Sequence, residues 1–472
     1  MKTTESIFES KKGNKTLIGA IDADVLAFTV GKDPVLDLRL VEWDCLGSAA
    51  HVTMLSRIPV KPVLFTKADR DAVIAGLVEI MRASREGTFK ITEEDQDCHL
   101  AIERTLTEKL GAVGKRIHTG RSRNDQSATA IRLYTRNALL GTASEITDLA
   151  QSLVAFGRRY HEIPMVGRTH LQPAMPSSVG VWATAYAEEL LDTLDHVVFG
   201  AFDFTNRCPL GSAASYGVPL PIDRELTSRL LAFREPIHNV LAAGNSRGKT
   251  ESVVISALAQ AMITASRLAQ DLILFSMPEF GYFSIPREFC TGSSIMPQKY
   301  NPDVCELIRS KTAQVVALAS AASGILVGMP GGYNRDLQDT KALLMEAFDT
   351  TRATLRILTR LVGGLRAHPD RLRAAFEDPG VFATDRALEL VAGGMAFRDA
   401  YHEVRENLES LRGMDPDAVI AKKTHLGAPC GLDFSLYAKS VADSRARIRA
   451  EERRIVAAFT KLLGVSVKGL LP

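Results

Sequence analysis

The segment 127–160 carries apolar side chains at helical spacing over many turns and contains no proline, which favours one long helix. Its apolar positions include Ile131, Leu139, Ala143, Ile146, Leu149, Leu153 and Phe156. The same pattern recurs in 175–200, 252–276, 302–326 and 335–363. Five long helices with few strand signals predict an all-α fold built around a bundle. In 258–275 more than one side is apolar, so we expect packing between subunits.

The length of 472 residues indicates two or three domains. We expect an N-terminal helical domain over 1–115, which begins with a loose polar arm at 1–20. A central long-helix bundle is predicted over 116–364. A small helical domain of shorter helices is predicted over 365–472, after Gly363 and Gly364.

Charge and cysteine usage exclude several function classes. A net charge of +2 gives no broad electrostatic reason to bind nucleic acid or a membrane surface. The six cysteines are scattered singly, which argues against a structural zinc site or a redox pair. No signal peptide and no uninterrupted membrane-length apolar run is evident. We therefore expect a cytoplasmic protein that uses neither metal nor organic cofactor.

Three polar, glycine-containing loops each precede a long helix. The first, 117–126, offers hydroxyls, amides and two arginines where a helix begins, and the free N–H groups there favour anions. We interpret it as a carboxylate-binding loop. A helix cap with solvated arginines is the structural alternative.

The second loop, 166–174, contains His170 in a polar turn, and Pro173 is predicted to start the next helix. A catalytic histidine and a satisfied structural histidine both fit this pattern.

The third loop, 290–302, combines Gly292 and two serines with Lys299 and Asn301. A loop that closes over a substrate has this composition. A mobile surface connection is the alternative, but it does not need these side chains together.

These loops supply the groups that β-elimination beside a carboxylate requires. A base must remove a C–H proton, fixed donors must hold the dianion, and an acid must protonate the leaving nitrogen. Ser293 could be the base if cations or amides lower its pKa, and Lys299 lies six residues on. His170, with Glu306 as a plausible partner, could hold or relay a proton.

The three loops resemble the signature regions of a known enzyme superfamily. Gly292 to Asn301 reads Gly-Ser-Ser-x-Met-Pro-x-Lys-x-Asn, the most specific motif of the fumarase/aspartase superfamily. Residues 118–126 and 333–338, with Lys341, resemble the argininosuccinate lyases in particular. The resemblance implies three helical domains and a homotetramer, whose central helices form a twenty-helix bundle with active sites shared between subunits. It also implies the reversible β-elimination of argininosuccinate to arginine and fumarate, in arginine biosynthesis.

The resemblance also implies roles for individual residues. Ser293 would be the base, and Lys299 with Asn301 would stabilise the aci-carboxylate. His170, paired with Glu306, would belong to the acid side. Two groups would bind substrate, with Arg247 shaping the pocket: Ser122, Arg123, Asn124 and Thr169 at the fumarate-forming half, and Asp97, Tyr333, Gln338 and Lys341 at the arginine half.

The chain departs from the family pattern at three places. It has no Trp-Gly-Gly-Arg-Phe segment, which supplies a substrate serine in many members of the family, and we expect 28–31 to lie near that place. It reads Asn-Ser-Arg-Gly at 245–248 and has Tyr300 where a second lysine is common. These changes bear on the amino-acid side, so another lyase of the superfamily, which releases fumarate from a different N-succinyl amine, is the alternative. An inactive scaffold and a helical interaction protein explain the loops less well.

Overall fold

The structure is a computed structural model that describes residues 14–16 and 19–471. Helix accounts for 67% of it, so the predicted all-α class is confirmed. Most of the arm predicted at 1–20 lies outside the described residues, and its described part is a short strand pair.

Nineteen α-helices occur in the described residues, joined in places by single 3₁₀ turns. They are α1 (Ala23–Val30), α2 (Asp33–Leu36), α3 (Val41–Leu55), α4 (Lys67–Arg85), α5 (Cys98–Leu110), α6 (Ala112–Lys115), α7 (Arg123–Arg159), α8 (Val179–Asp192), α9 (Phe199–Thr205), α10 (Arg224–Leu230), α11 (Val240–Asn245), α12 (Lys249–Ser276), α13 (Asp303–Leu326), α14 (Thr340–Gly364), α15 (Pro369–Ala374), α16 (Ala383–Ala392), α17 (Phe397–Glu406), α18 (Pro416–Ala421) and α19 (Phe434–Leu463).

The strands of the described chain are short and form five two-stranded pairs. They are β1 (Asn14–Thr16), β2 (Gly19–Ile21), β3 (Pro164–Thr169), β4 (Gln172–Ser178), β5 (Arg207–Cys208), β6 (Glu235–Pro236), β7 (Phe283–Ser284), β8 (Thr291–Gly292), β9 (Tyr300–Asn301) and β10 (Arg366–Ala367). Strands β5 and β6 pair in parallel, and β1–β2, β3–β4, β7–β10 and β8–β9 pair antiparallel.

Helix α7 begins at a strong N-terminal signal. Ser122 is its N-cap, and a capping box with Asp125 satisfies amides that the first turn leaves free. This cap starts the helix at Arg123, four residues before the predicted start at 127. The helix then runs to Arg159 with most of its residues buried, since α3, α8, α14 and α19 pack around it.

The bundle is assembled around α12. Helices α13 and α14 pack along it, and α14 also contacts α7, which in turn contacts α8. One large hydrophobic cluster fills these interfaces and includes α3 and α4, together with the inner face of α19. A smaller cluster around Phe376, Phe382 and Val404 holds the segment before α19, so the chain after Gly364 contributes to both cores. The domain boundaries remain a prediction.

The helix predicted over 175–200 differs from the structure at its start. Residues 172–178 form β4, which pairs with β3, so the prediction that Pro173 starts a helix was wrong. Proline cannot donate to a ladder, but it is tolerated in an edge strand, and a two-stranded hairpin has only edges. Helix α8 begins at Val179, after the cap provided by Ser178, and a π turn at 193–198 interrupts its continuation into α9.

Helix α12 has the length and apolar composition of a membrane span, the one such helix in the part of the chain that the structure describes. Its most apolar window is 61% buried by the neighbouring helices, as befits the core helix of a bundle. Glu251 and Thr264 are among its buried residues.

Candidate active site

A cavity of about 100 Å³ lies where α1, α2, α5, α7 and the 3₁₀ turn Arg335–Gln338 converge. Charged and amide side chains line most of it. Seven of the predicted substrate-binding residues meet here, although they come from distant parts of the sequence: Asp97, Arg123, Asn124, Arg247, Tyr333, Gln338 and Lys341. The structure therefore brings these seven residues together around one cavity.

The first polar loop enters this cavity through the start of α7. Ser122 caps the helix by accepting from Asn124 N at 3.2 Å. Arg123 Nη1 donates to Asp97 Oδ2 at 3.0 Å, and Asp97 Oδ1 in turn caps α5 by accepting from Leu100 N. The interpretation of 117–126 as a helix cap and its interpretation as a binding loop are thus compatible, because the cap orients the arginine.

Asp125 holds this loop in place through hydrogen bonds to both of its carboxylate oxygens. Its Oδ1 accepts from Ser122 N at 2.9 Å, and its Oδ2 accepts from Gly211 N and Ala213 N. Burial raises the pKa of Asp125, and the three amide hydrogen bonds act against that rise. Ala213 has a φ of +51°, a strained conformation for a non-glycine residue, so the Asp125 carboxylate holds a strained turn against the cavity loop.

Lys341 is buried between two carboxylates of the N-terminal segment. Its Nζ lies 2.8 Å from Asp33 Oδ1 and also donates to Asp37. Burial alone would lower the pKa of Lys341, but attraction to Asp37 and Asp33 outweighs this and raises it. Lys341 therefore stays charged. Burial raises the pKa of Asp33, and the charges of Lys341 and Arg247 act against that rise.

The segment 28–31, which was expected near the place of the family's Trp-Gly-Gly-Arg-Phe sequence, reaches the cavity through Val30. Gln338 Nε2 donates to Thr29 O at 2.9 Å, and Arg335 Nη2 donates to the same carbonyl at 2.8 Å. Val30 lines the cavity wall. Backbone carbonyls of this segment thus orient the amide that was predicted to contact the substrate.

Arg247 lies across the cavity beside Tyr333. Its guanidinium stacks over the Tyr333 ring at 5.2 Å from the centroid, and its Nε is buried without a hydrogen-bond partner among the described residues. The next residue, Gly248, has a φ of +76° and forms the N-cap of α12. A Cβ there would lie 2.6 Å from Leu326 Cδ2 and 2.7 Å from Leu337 Cδ2, and the positive φ also favours glycine in this turn.

His99 forms a buried pair with Asp44 at the base of the cavity. Nδ1 of His99 lies 3.0 Å from Asp44 Oδ1, and both side chains are almost fully buried. Burial alone would lower the pKa of His99, but the contact with Asp44 outweighs burial and raises the pKa of His99. Burial alone would raise the pKa of Asp44, but the contact with His99 lowers it. Because Nδ1 of His99 is paired with Asp44, Nε2 is the ring nitrogen that can interact with a group in the cavity.

Asp37, Cys98 and His99 bring three possible metal-ligand atoms within 4.8 Å of one another. The Asp37 carboxylate already binds Lys341 and the Cys98 amide. Burial also raises the pKa of the Cys98 thiol well above its usual value, which disfavours the thiolate that metals bind. These residues therefore fit the ammonium group of Lys341 better than a metal ion.

The predicted base sits elsewhere, on the hairpin formed by β8 and β9. The turn of this hairpin curls back on Ser293, so that Ser293 Oγ accepts from Met296 N at 3.1 Å and from Ile295 N at 3.4 Å. Lys299 is exposed, Asn301 lies in β9, and Glu306 is exposed in the first turn of α13. Within one chain none of the described residues of this hairpin lines the cavity.

Thr169 and His170 lie at the tip of the β3–β4 hairpin. His170 and Leu171 form its two-residue turn, with φ values of +54° and +62°. Arg168 braces the turn by donating to Leu171 O at 3.1 Å, and its guanidinium lies over the Phe280 ring. His170 opens onto a groove with Trp182 and Tyr186, and Glu306 is not among the residues that line it.

Sequence reasoning missed Asp33, Asp37 and His99 as residues of the cavity. A usable signal was present, because Asp33, Asp37 and Asp44 lie among apolar residues such as Leu36 and Leu40 just before and within α3. Buried carboxylates need partners, so such positions predict ion pairs.

Comparisons with known proteins match this chain to lyases. A family model described as lyase matches residues 42–317. The argininosuccinate lyase of Sorangium cellulosum is 44% identical over 429 residues, which are 91% of this chain and 98% of that protein. The argininosuccinate lyase of Parabacteroides distasonis is 37% identical over 441 residues, 92% of this chain and 97% of that protein.

Among solved structures, EDDS lyase in complex with formate superposes with a TM-score of 0.80 at 22% identity, over 95% of this chain and 96% of the other. At this identity the likeness concerns the fold alone.

Proposed function

The chain belongs to the argininosuccinate lyase family, and we propose on that basis that its cavity and its two polar hairpins are the parts of one elimination site. The reaction is the reversible β-elimination of argininosuccinate to arginine and fumarate. A base takes a proton from the carbon beside a carboxylate, the C–N bond breaks, and its electron pair leaves with the guanidino nitrogen. The observation that carries the proposal is the convergence of seven predicted substrate residues on one cavity.

Ser293 acts as the base. A serine does so only as an alkoxide, which requires donors that stabilise negative charge on Oγ. The amides of Ile295 and Met296 already point at this oxygen, which supports the role. Lys299 and Asn301 stabilise the dianionic carboxylate that forms once the proton has left.

His170 serves the acid side of the reaction, with Glu306 as its charge partner. Ser122, Arg123, Asn124 and Thr169 bind the half of the substrate that becomes fumarate. Asp97, Tyr333, Gln338 and Lys341 bind the half that becomes arginine, and Arg247 shapes the pocket between them.

The enzyme is a homotetramer whose active sites are shared between subunits. In one chain the cavity, the Ser293 hairpin and the His170 turn are separate, yet elimination needs base, acid and substrate within hydrogen-bond reach. Other copies of the chain can bring the three together, and so complete each site.

Helix α13 supports this assembly. One stripe of it, formed by Cys305, Ile308, Thr312, Val315 and Ala322, is buried against the chain's own core. The opposite face is exposed although it carries Leu307 and Val316, with small residues between them. Exposed apolar surface of this kind marks an interface, and small residues allow close packing of helices from different subunits.

The domain division at 1–115, 116–364 and 365–472 belongs to the same proposal, with the central domain supplying the shared bundle. So do a cytoplasmic location and a place in arginine biosynthesis.

Fumarate release, followed by its ultraviolet absorbance, tests the activity. Argininosuccinate is compared with other N-succinyl amines at equal concentration, and sedimentation in the same buffer gives the oligomeric state. We expect turnover of argininosuccinate by a tetramer. Turnover of another succinyl amine alone would favour the alternative lyase, and a fully active monomer would refute the shared site.

A further inference from the structure

A second cavity, of about 540 Å³, lies beside the start of α3 and is separate from the cavity that contains Lys341. Parts of α3, α4, α7, α14 and α19 line it, and the two cavities share no lining residue among those described. They are neighbours in sequence, because Asp37 lines the first, and Leu38 and Arg39 in the same 3₁₀ turn line the second. The volume of the second cavity lies within the range of small-molecule sites, roughly 300–1,000 Å³. The proposed elimination uses none of its residues.

Three charged side chains of this second cavity are already paired within the protein. Arg39 donates to both oxygens of Asp349, at 2.8 Å each, and to Tyr134 Oη at 2.6 Å. Arg352 donates from Nε and Nη2 to Glu145. Arg39, Asp349 and Arg352 need no further counter-ion, so they shape the wall of the cavity.

Glu42 differs from them, because its carboxylate is buried without a counter-ion. The residue is 4% exposed and lines the second cavity, yet it forms no ion pair with a described residue. Burial raises the pKa of Glu42, and its own backbone amide, the Ser84 hydroxyl and the charge of Arg85 act against that rise without cancelling it. A buried carboxylate that lacks a counter-ion destabilises the protein, and a cationic ligand group would offset that effect.

Two exposed charges at the same cavity also lack an ion-pair partner among the described residues. They are Arg85, at the end of α4, and Glu452, on α19. With Glu42 they give the cavity two negative charges and one positive charge that no other described side chain pairs with. The complementary ligand has two cationic groups and one carboxylate, which is the composition of a basic amino acid at neutral pH.

We propose that the second cavity binds a basic amino acid, with Glu42 paired to its side-chain cation and Arg85 to its α-carboxylate. The buried position of Glu42 suits the slender side chain of the ligand, which can reach inside. The α-carboxylate and the α-ammonium group share one carbon, so they remain near the surface, where Arg85 and Glu452 are exposed. A diamine carries the same two cations, but it would leave the guanidinium of Arg85 without an anion.

Equilibrium dialysis of radiolabelled L-lysine against the full-length protein measures this binding. Cadaverine, which is lysine without its α-carboxylate, is the competing probe. The wild-type protein should bind lysine roughly 10- to 100-fold more tightly than cadaverine, the range expected for one hydrogen bond to a charged group. Glu42→Gln should weaken lysine binding by a similar factor, and Arg85→Gln should remove the preference for lysine over cadaverine.

Glu42→Gln is expected to fold, because it removes an unpaired buried charge. Glu452→Gln is the second test variant if that expectation fails, since Glu452 is exposed and its replacement should also weaken lysine binding. Glu451→Gln is the matched control on the same helix, because Glu451 pairs with Arg454 and does not line the cavity. It should bind lysine as the wild type does.

Lysine binding that is unchanged in both Glu42→Gln and Glu452→Gln overturns the proposal, because the ligand then binds elsewhere. Absence of lysine binding to the wild-type protein at millimolar concentrations overturns it as well. Equal affinity of the wild type for lysine and cadaverine contradicts the pairing of Arg85 with a carboxylate. These readouts do not depend on catalysis, so the outcome is independent of the proposed elimination.

Discussion

Arg123 Nη1 lies 3.0 Å from Asp97 Oδ2, and this ion pair joins the start of α7 to the start of α5. Each residue stands at the N-terminus of its helix, so the helix caps fix both ends of the pair. The pair is half-buried and set before any ligand arrives, so the cavity loop needs little reorganisation to bind.

Replacing Ser293 with alanine removes the proposed base. We expect kcat to fall by about 10²- to 10⁴-fold, the usual contribution of general-base catalysis, while assembly is retained. Ser294→Ala is the matched control, because Ser294 is the exposed neighbour in the same turn. Steady-state fumarate release checks both variants, and near-normal activity of Ser293→Ala would remove serine from the base role.

Two inactive variants should restore each other if sites are shared. Ser293→Ala and Lys341→Met damage different parts of the site, which different subunits would supply. After co-refolding in equal amounts, roughly one site in four would combine two intact parts by random assembly. Activity that stays at the level of the separate variants would argue for sites built from a single chain.

The Asp44–His99 pair predicts a pH dependence of stability. The pKa of His99 in the folded state is raised, so its stabilising contribution is complete below the unfolded value of about 6.5 and is lost as the pH rises through the folded pKa. His51 and His118 have lowered pKa values, the latter about 4, so their contributions change below that window.

Urea unfolding at fixed protein concentration, from pH 6.5 upward, measures this effect. The free energy of unfolding should fall with pH in the wild type and change less in His99→Gln. Parallel curves for the two proteins would show that the pair does not hold the extra proton.

Gly248→Ala should be destabilising by about 1–3 kcal/mol, because it combines a left-handed backbone with a clash against Leu326 and Leu337. The shift should also displace Arg247 and raise KM. Gly363→Ala is the control, since a Cβ at that helical position meets nothing within 4 Å and should be neutral or slightly stabilising. Thermal unfolding of both variants measures the change in stability, and unchanged stability of Gly248→Ala would contradict the prediction.

The helical fold was predictable because its signal is local. Apolar spacing and the absence of proline located α7, α12 and α13 within a few residues. The β3–β4 hairpin was missed because residues 164–178 do not show the alternation of apolar and polar residues that predicts a strand. The pairing of the two strands is visible only in the structure. Motif spacing also singled out the loop before α7 and the turn that contains Ser293.

The partners of Lys341 could not be read from the sequence. Asp33 and Asp37 lie some three hundred residues away along the chain, and only the folded chain brings α2 and the 3₁₀ turn after it to the lysine. The fumarate-forming and arginine-binding residues were grouped by family resemblance, and only those around the cavity are brought together within one chain.

The tip of the β3–β4 hairpin places two bulky residues, His170 and Leu171, where the backbone favours glycine. Glycine at 171 would relax the turn, but it would also let the tip sample many more conformations. The strained turn therefore restricts the backbone that carries the His170 imidazole. On a flexible loop, the conformational entropy of the imidazole would be lost each time a ligand binds. Here that entropy is lost once, when the protein folds.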